Sequence, residues 1–293
     1  MAHKAGFVNI IGCPNVGKST LMNALVGQKL SIITSKAQTT RHRIMGIVNE
    51  PEYQIIFSDT PGILKPNYKL HEKMMRFVAD AMEDADIFLL ITDMFEDIAL
   101  EESYIQKLNK VEQPVLLLVN KIDLTTEEKL QAKVAQWKEK IPRAEILPIS
   151  ALLNANVDMV MKRILALLPE HAPFYDKDQL TDKPERFFVS EIIREKILLN
   201  YQKEIPYSVE VEVDSFKEEE KIIRIDATIY VERDSQKGIL IGHKGEAIKK
   251  LGIESRADCE SFFGKHIHLQ LYVKVDKDWR SNDRRLKRYG YNY

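Results

Sequence analysis

Gly12-Cys13-Pro14-Asn15-Val16-Gly17-Lys18-Ser19 decides how the first half of this chain folds. The spacing is G-x-x-x-x-G-K-[ST]. An apolar run, Phe7 to Ile11, precedes it and a helix-like run, Thr20 to Val26, follows it. Strand, glycine-rich loop and helix in that order turn backbone N–H groups and a helix N-terminus toward a phosphate. Lys18 brings a compact positive charge to the β- and γ-phosphates, and the Ser19 hydroxyl is a ligand for Mg²⁺. Residues Gly12 to Thr20 therefore read as the cradle of a nucleoside triphosphate.

The base is specified elsewhere. Asn120-Lys121-Ile122-Asp123 follows the apolar run Val115 to Val119. A carboxylate at Asp123 accepts from both the ring N–H and the exocyclic amine of guanine. Adenine would leave those buried groups unpaired, which discriminates by roughly 10⁴ or more. Asn120 is expected to tie this loop to the phosphate loop, with the Lys121 stem over the base plane. Ser150 and Ala151 end another strand-like run, and the Ala151 amide is expected to meet the guanine O6.

Asp59-Thr60-Pro61-Gly62 follows Tyr53 to Phe57. Asp59 is placed to hold the Mg²⁺ hydration shell and the Gly62 N–H to sense the γ-phosphate. Between the two phosphate elements lies Gln38-Thr39-Thr40-Arg41-His42, polar and short of core residues, as a nucleotide-dependent loop should be. One threonine there would close on Mg²⁺; Thr40 is favoured, with Thr39 as the alternative. Metal ligands are thus Ser19, Thr40 and Asp59, and Lys18 and Thr40 are the groups expected to act on the transferred phosphate. Ile63, after the D-T-P-G segment, has no hydrogen-bonding group with which to orient water. Hydrolysis should then be slow and rest on charge stabilisation by Lys18, Mg²⁺ and loop amides.

A chain of 293 residues, 44% apolar and 30% charged, suits two ordinary soluble domains. The longest apolar runs are strand-sized, far short of a bilayer span. No basic region followed by a long apolar stretch marks a signal peptide. Two cysteines, Cys13 and Cys259, make neither a disulfide framework nor a metal knuckle and fit a reducing cytoplasm. Net charge is −1 but unevenly spread. Residues 176–232 carry 9 basic and 15 acidic groups, whereas 233–293 carry 14 basic and 8 acidic. The second block is the footprint of a polyanion-binding face.

Up to about residue 170, strand-like and helix-like runs alternate, which implies an α/β layer fold with a mostly parallel sheet and helices on both faces. Strands are expected at 7–11, 44–49, 53–58, 87–92, 115–119 and 145–149, and helices from near Lys18, Leu70, Glu101, Glu127 and Val157. A polar, proline-bearing stretch, 171–184, reads as a linker. Beyond it come a helix near Arg186–Leu199, a hairpin of Tyr207–Phe216 and Ile222–Val231, two helices around Gly242-His243-Lys244-Gly245, and a strand His266–Val275. The order α-β-β-α-α-β with G-x-x-G between the central helices resembles a type II KH domain, an α+β unit over 185–275. Two glycines let that corner approach a sugar-phosphate backbone, and Lys244, Lys249, Lys250 and the following helix N-terminus add positive potential. The tail 276–293 interleaves Arg280, Arg284, Arg285, Lys287 and Arg288 with Trp279, Tyr289 and Tyr291. That composition suits either phosphate contact with base stacking or a helix capping the sheet.

The motif series, and above all Lys36-Ala37-Gln38-Thr39-Thr40-Arg41-His42-Arg43-Ile44, resembles the Era family of bacterial P-loop GTPases. The resemblance runs on through Ser190–Lys196, Ile205–Val209, Ile241–Gly245 and Tyr272–Val275. It implies GTP hydrolysis with Mg²⁺, and a KH domain on the 3′ region of 16S ribosomal RNA during assembly of the 30S subunit. A monomer in the cytoplasm is expected, with contact to the inner membrane as a further family expectation. Related GTPases with asparagine at the Asn15 position bind K⁺ beside the phosphates, so a K⁺ near Asn15 is also implied. The competing reading is a membrane-associated RNA-binding adaptor in cell-cycle control, with incidental hydrolysis. The intact Lys18, Ser19, Asp59 and Asp123 favour the enzyme.

Overall fold

The computed structural model describes residues 2–95 and 102–291. The helix expected from Glu101 begins within the described part at Glu102, and Glu101 itself lies outside it. Two compact units emerge. One holds the chain up to Pro66 together with Met74–Asp182; the other holds Asn67–Lys73 and the chain from Lys183 onward.

The first unit is built on six strands: β1 (Lys4–Ile11), β2 (Ile44–Asn49), β3 (Tyr53–Asp59), β4 (Ile87–Asp93), β5 (Val115–Asn120) and β6 (Glu145–Pro148). Their order is β2-β3-β1-β4-β5-β6, parallel except for the β2–β3 pair. The connecting helices are α1 (Lys18–Val26), α2 (Lys69–Glu83, of which Met74 onward belongs to this unit), α3 (Glu102–Lys110), α4 (Glu127–Lys140) and α5 (Val157–Leu167). Every residue of β4 and β5 is buried. That is why both read as unbroken apolar runs: a central parallel strand is covered on both faces. The phosphate loop, the D-T-P-G segment, the N-K-x-D segment and Ser150 all follow strand C-termini, where such sheets bind ligands.

The stretch expected as a linker is not loose up to Asp182. It runs along the edge strand β2, where the Ile47 amide donates to the Leu180 carbonyl at 2.8 Å and the Met45 amide to Asp182 Oδ1 at 2.9 Å. The buried Gln54 side chain fixes its start, accepting from the Phe174 and Tyr175 amides at 2.7 and 3.0 Å. An edge strand left bare offers unpaired backbone groups to other chains, and this segment covers them.

The second unit contains α6 (Glu185–Asn200), α7 (Ile205–Ser208), β7 (Glu210–Glu218), β8 (Ile222–Val231), α8 (Asp234–Ile241), α9 (Glu246–Phe263), β9 (His266–Val275) and α10 (Asp283–Arg288). β7 pairs antiparallel with β8, and β8 parallel with β9. The first hairpin strand starts later than the sequence suggests. Tyr207 and Ser208 belong to α7, because Pro206 sits at the start of that turn, where a missing N–H costs nothing. Alternation along β8 and β9 puts Ile223, Ile225, Ala227 and Ile229 against Ile267 and Val273 in one core with Leu240, Leu251 and Cys259 of the helices.

Candidate nucleotide site and nucleic-acid face

The phosphate loop is shaped by its neighbours. Gly17 has φ 103°, and a Cβ there would lie 2.2 Å from Asn120 Nδ2, so only glycine fits. Lys18 is buried, with Nζ on the carbonyls of Cys13 at 2.7 Å and Gly12 at 3.2 Å. The side chain is thus held across the mouth of its own loop.

Ser19, Thr40 and Asp59 converge. Ser19 Oγ donates to Asp59 Oδ2 at 2.7 Å and lies 2.9 Å from Thr40 Oγ1, which itself donates to Asp59 at 3.3 Å. Thr39 points elsewhere: its hydroxyl donates to the Lys36 carbonyl at 2.6 Å and meets Thr34. Of the two threonines, Thr40 is the one brought to the carboxylate. Asp59 is fully buried, yet its Oδ1 has no hydrogen-bond partner. Burial pushes its carboxyl above the ordinary value, opposed by the Ser19 hydrogen bond and the Lys18 charge. A buried, unsatisfied carboxylate oxygen beside two hydroxyls is a costly arrangement that a hard divalent cation would relieve, so this oxygen-only donor set fits Mg²⁺.

The guanine loop is tied in as expected. Asn120 is buried and its Nδ2 donates to the Val16 carbonyl at 2.8 Å. Its Oδ1 accepts from the Ala151 amide at 2.9 Å. The Ala151 amide, expected to meet the guanine O6, donates to the Asn120 carboxamide here. Lys121 has φ 63°, which lays its stem across the pocket, and Nζ bonds the Asn15 carbonyl at 2.8 Å and Asp93 Oδ2 at 2.5 Å. Asp93 was missed from sequence. Its place beside Asn120 follows from the β4–β5 register, which the sequence alone does not show.

Together these residues enclose a cavity of about 450 Å³. Its lining includes Pro14, Asn15, Thr20, Gly62, Asp123 and Ser150. Thr60 and Pro61 are buried behind it, and the Thr60 hydroxyl donates to the Ile10 carbonyl at 2.7 Å. Ile63 is also buried, with its amide on the Gly12 carbonyl at 3.0 Å, so its side chain packs inward and faces no solvent nucleophile.

In the second unit, Gly242 has φ 72°, and a Cβ there would lie 2.6 Å from Ala247 Cβ. Gly245 has φ 80° and opens α9. His243, Lys244, Lys249 and Lys250 are all exposed around this corner. The tail is different. Trp279, Leu286, Tyr289 and Tyr291 are buried, with Trp279 Nε1 on the Ser208 carbonyl at 3.0 Å and the Tyr289 and Tyr291 hydroxyls on Asp276 and Glu210 at 2.7 and 3.0 Å. The aromatics therefore cap their own domain and do not stack bases. Arg284, Arg285 and Arg288 are all exposed; Arg285 pairs with Asp276 at 3.2 Å and Arg288 with Glu212 at 2.5 Å. Arg285 thus has a partner within the cap while its side chain stays exposed.

A parallel sheet carrying a phosphate loop, a guanine loop and a hydroxyl–carboxylate metal set, followed by a KH unit, defines a P-loop GTPase with an RNA-binding module. Residues 7–121 match the 50S ribosome-binding GTPase family and residues 204–280 the KH domain family. The chain is 46% identical over 291 residues to GTPase Era of Staphylococcus haemolyticus, covering 99% of this chain and 97% of that one. It is 45% identical to GTPase Era of a Thermoanaerobacter species, with the same coverage. A crystal structure of Era with MgGDPNP and nucleotides 1506–1542 of 16S ribosomal RNA superposes with a TM-score of 0.94 at 38% identity, over 99% of this chain and all of that one. The chain belongs to the Era GTPase family, and it is a GTPase that uses Mg²⁺ with its nucleotide.

Proposed function

We propose that this chain is a GTP-hydrolysing switch that binds the 3′ region of 16S ribosomal RNA through its KH unit and acts in assembly of the 30S subunit. The carrying observation is the convergence of Ser19, Thr40 and the unsatisfied Asp59 carboxylate beside Lys18. The RNA partner is supported by the relative solved with nucleotides 1506–1542 and by the exposed basic corner at Gly242–Gly245.

In this reading the phosphates seat on the backbone of Gly12 to Thr20. Lys18 swings from the Gly12 and Cys13 carbonyls onto the β- and γ-phosphates, where its charge offsets what develops on the leaving oxygen. Asp123 selects guanine, and Asn120 locks its loop to the phosphate loop. Ser19 and Thr40, with Asp59 behind, would hold Mg²⁺, which would supply positive charge against the phosphates when bound. Thr40 reports the triphosphate, since only that state draws it onto the metal. Asn15 is exposed at the pocket rim, where its side-chain oxygen would suit a K⁺. With Ile63 buried, nothing at that position orients water, and turnover alone is slow. Among the described residues no helix is long and apolar enough to cross a membrane. We place the protein's work in the cytoplasm.

The test is GTP turnover by the full chain with and without an RNA carrying the 16S 3′ segment, in KCl and in NaCl. The reading expects turnover that needs Lys18, RNA binding by the full chain, and faster hydrolysis in potassium. Undiminished turnover in Lys18→Ala would overturn the phosphate-loop assignment, and absence of RNA binding would overturn the switch.

A further inference from the structure

Arg43 immediately precedes β2, and its guanidinium is bound by Asp84, Ser58 and Asn9. It is 8% exposed. Its guanidinium forks onto Asp84, Nη1 to Oδ2 at 2.6 Å and Nη2 to Oδ1 at 2.9 Å. Nε donates to Ser58 Oγ at 2.6 Å, and Nη2 reaches Asn9 Oδ1 at 3.3 Å. Asn9, fully buried, donates in turn to the Ala81 carbonyl and to Asp84 Oδ1, both at 2.6 Å.

The register gives this cluster its meaning. Asn9 and Ser58 are opposite one another on β1 and β3, and Asp59 opposes Ile10. Side chains alternate along a strand, so Ser58 faces the cluster and Asp59 faces Ser19. The cluster is therefore one residue from the carboxylate of the metal set, on the other face of the sheet. It is three residues from Thr40 along the chain. It also ties β2 to Ala81 and Asp84, where the helix that follows the D-T-P-G segment ends.

We propose that Arg43 is a positioning residue: its clamp on Asp84, Ser58 and Asn9 fixes the end of the nucleotide-sensing loop so that Thr40 is held in register with Asp59. The inference rests on the reading of Thr40 as the triphosphate reporter. A bidentate guanidinium–carboxylate pair carries geometric specificity that a lysine does not reproduce. Loosening it lowers the fraction of loops in the closed position, and apparent triphosphate affinity falls with that fraction. GDP binding draws on the phosphate loop and guanine loop, which the clamp does not touch.

The experiment measures dissociation constants of the full chain for GDP and for a non-hydrolysable GTP analogue with Mg²⁺, in wild type, Arg43→Lys, Asp84→Asn, Ser58→Ala, Thr40→Ala and the Arg43→Lys/Asp84→Asn pair. Arg43→Lys and Asp84→Asn should each weaken the GTP analogue by about tenfold and GDP by no more than about twofold, with little further loss in the pair. Equal weakening of both nucleotides would mean a merely structural role and overturn the inference, as would an unchanged ratio. If Arg43→Lys fails to fold, Asp84→Asn and Ser58→Ala carry the same comparison. Thr40→Ala separates the two claims: if it leaves the nucleotide ratio unchanged, the reporter reading fails, whereas if it shifts the ratio and the clamp variants do not, only the clamp fails.

Discussion

Asn120→Ala tests whether the two halves of the nucleotide pocket are joined by one side chain. Asn120 is 3% exposed, and its carboxamide serves two buried groups: the Val16 carbonyl at 2.8 Å and the Ala151 amide at 2.9 Å. Truncation leaves both without a partner. Each unpaired buried group costs about 1–3 kcal/mol, so the tie between the loops loses about 2–6 kcal/mol. In dissociation constants that is roughly 30-fold to 10⁴-fold, with water entry favouring the lower end. Neither contact is near Thr40, so GTP and GDP should weaken together, unlike the clamp variants. Asn120→Asp keeps the shape but sets an acceptor against the Val16 carbonyl and should be no better than alanine. Fluorescent-nucleotide titration reads both constants, and the melting shift in saturating GDP gives an independent measure. A loss below about threefold, or a loss confined to GTP, would refute the argument.

Two further outcomes concern the second unit. Trp279→Ala should destabilise the chain by about 3–5 kcal/mol in denaturant unfolding, because it empties a fully buried site and orphans the Ser208 carbonyl; Arg284→Ala should leave stability alone and flatten the salt dependence of RNA binding by about 0.7. A stable Trp279→Ala protein would mean the tail is not a cap, and an unchanged slope would remove Arg284 from the RNA face. Burial, with Asp258 and Glu260 nearby, pushes the Cys259 thiol from 9.0 up to about 12. Between those values the unfolded chain loses a proton that the folded chain keeps, so stability falls as pH rises, by up to about 1.4 kcal/mol per pH unit. The unfolding free energy of wild type minus that of Cys259→Ala should be flat below about pH 8.5 and decline above it; a flat difference throughout would refute the shift.

The nucleotide half was legible because its chemistry is local. Strand, glycine loop, lysine and serine are contiguous from Phe7 to Val26, and each later motif follows its own apolar strand. The α-β-β-α-α-β order around Gly242–Gly245 was legible for the same reason: period-2 and helical patterns and two glycines are visible in a window of a few residues. Those patterns determined the class of protein and the base it takes. Which partner a polar group takes is a question of long-range pairing, and only the tertiary structure decided it. The Ala151 amide went to Asn120, 31 residues away, and the Thr60 hydroxyl to Ile10, 50 residues away. The positive block of 233–293 looked like one polyanion face. In the fold, part of it is neutralised by the acidic block before it, Arg288 on Glu212 and Lys265 on Glu218. The tail's aromatics turned inward because burial of their rings, with each polar tip matched to Ser208, Asp276 or Glu210, is available only once the sheet exists. Arg43, which sequence singled out only as part of the family-like stretch Lys36–Ile44, is the centre of a buried clamp because β1 and β3 place Asn9 and Ser58 side by side.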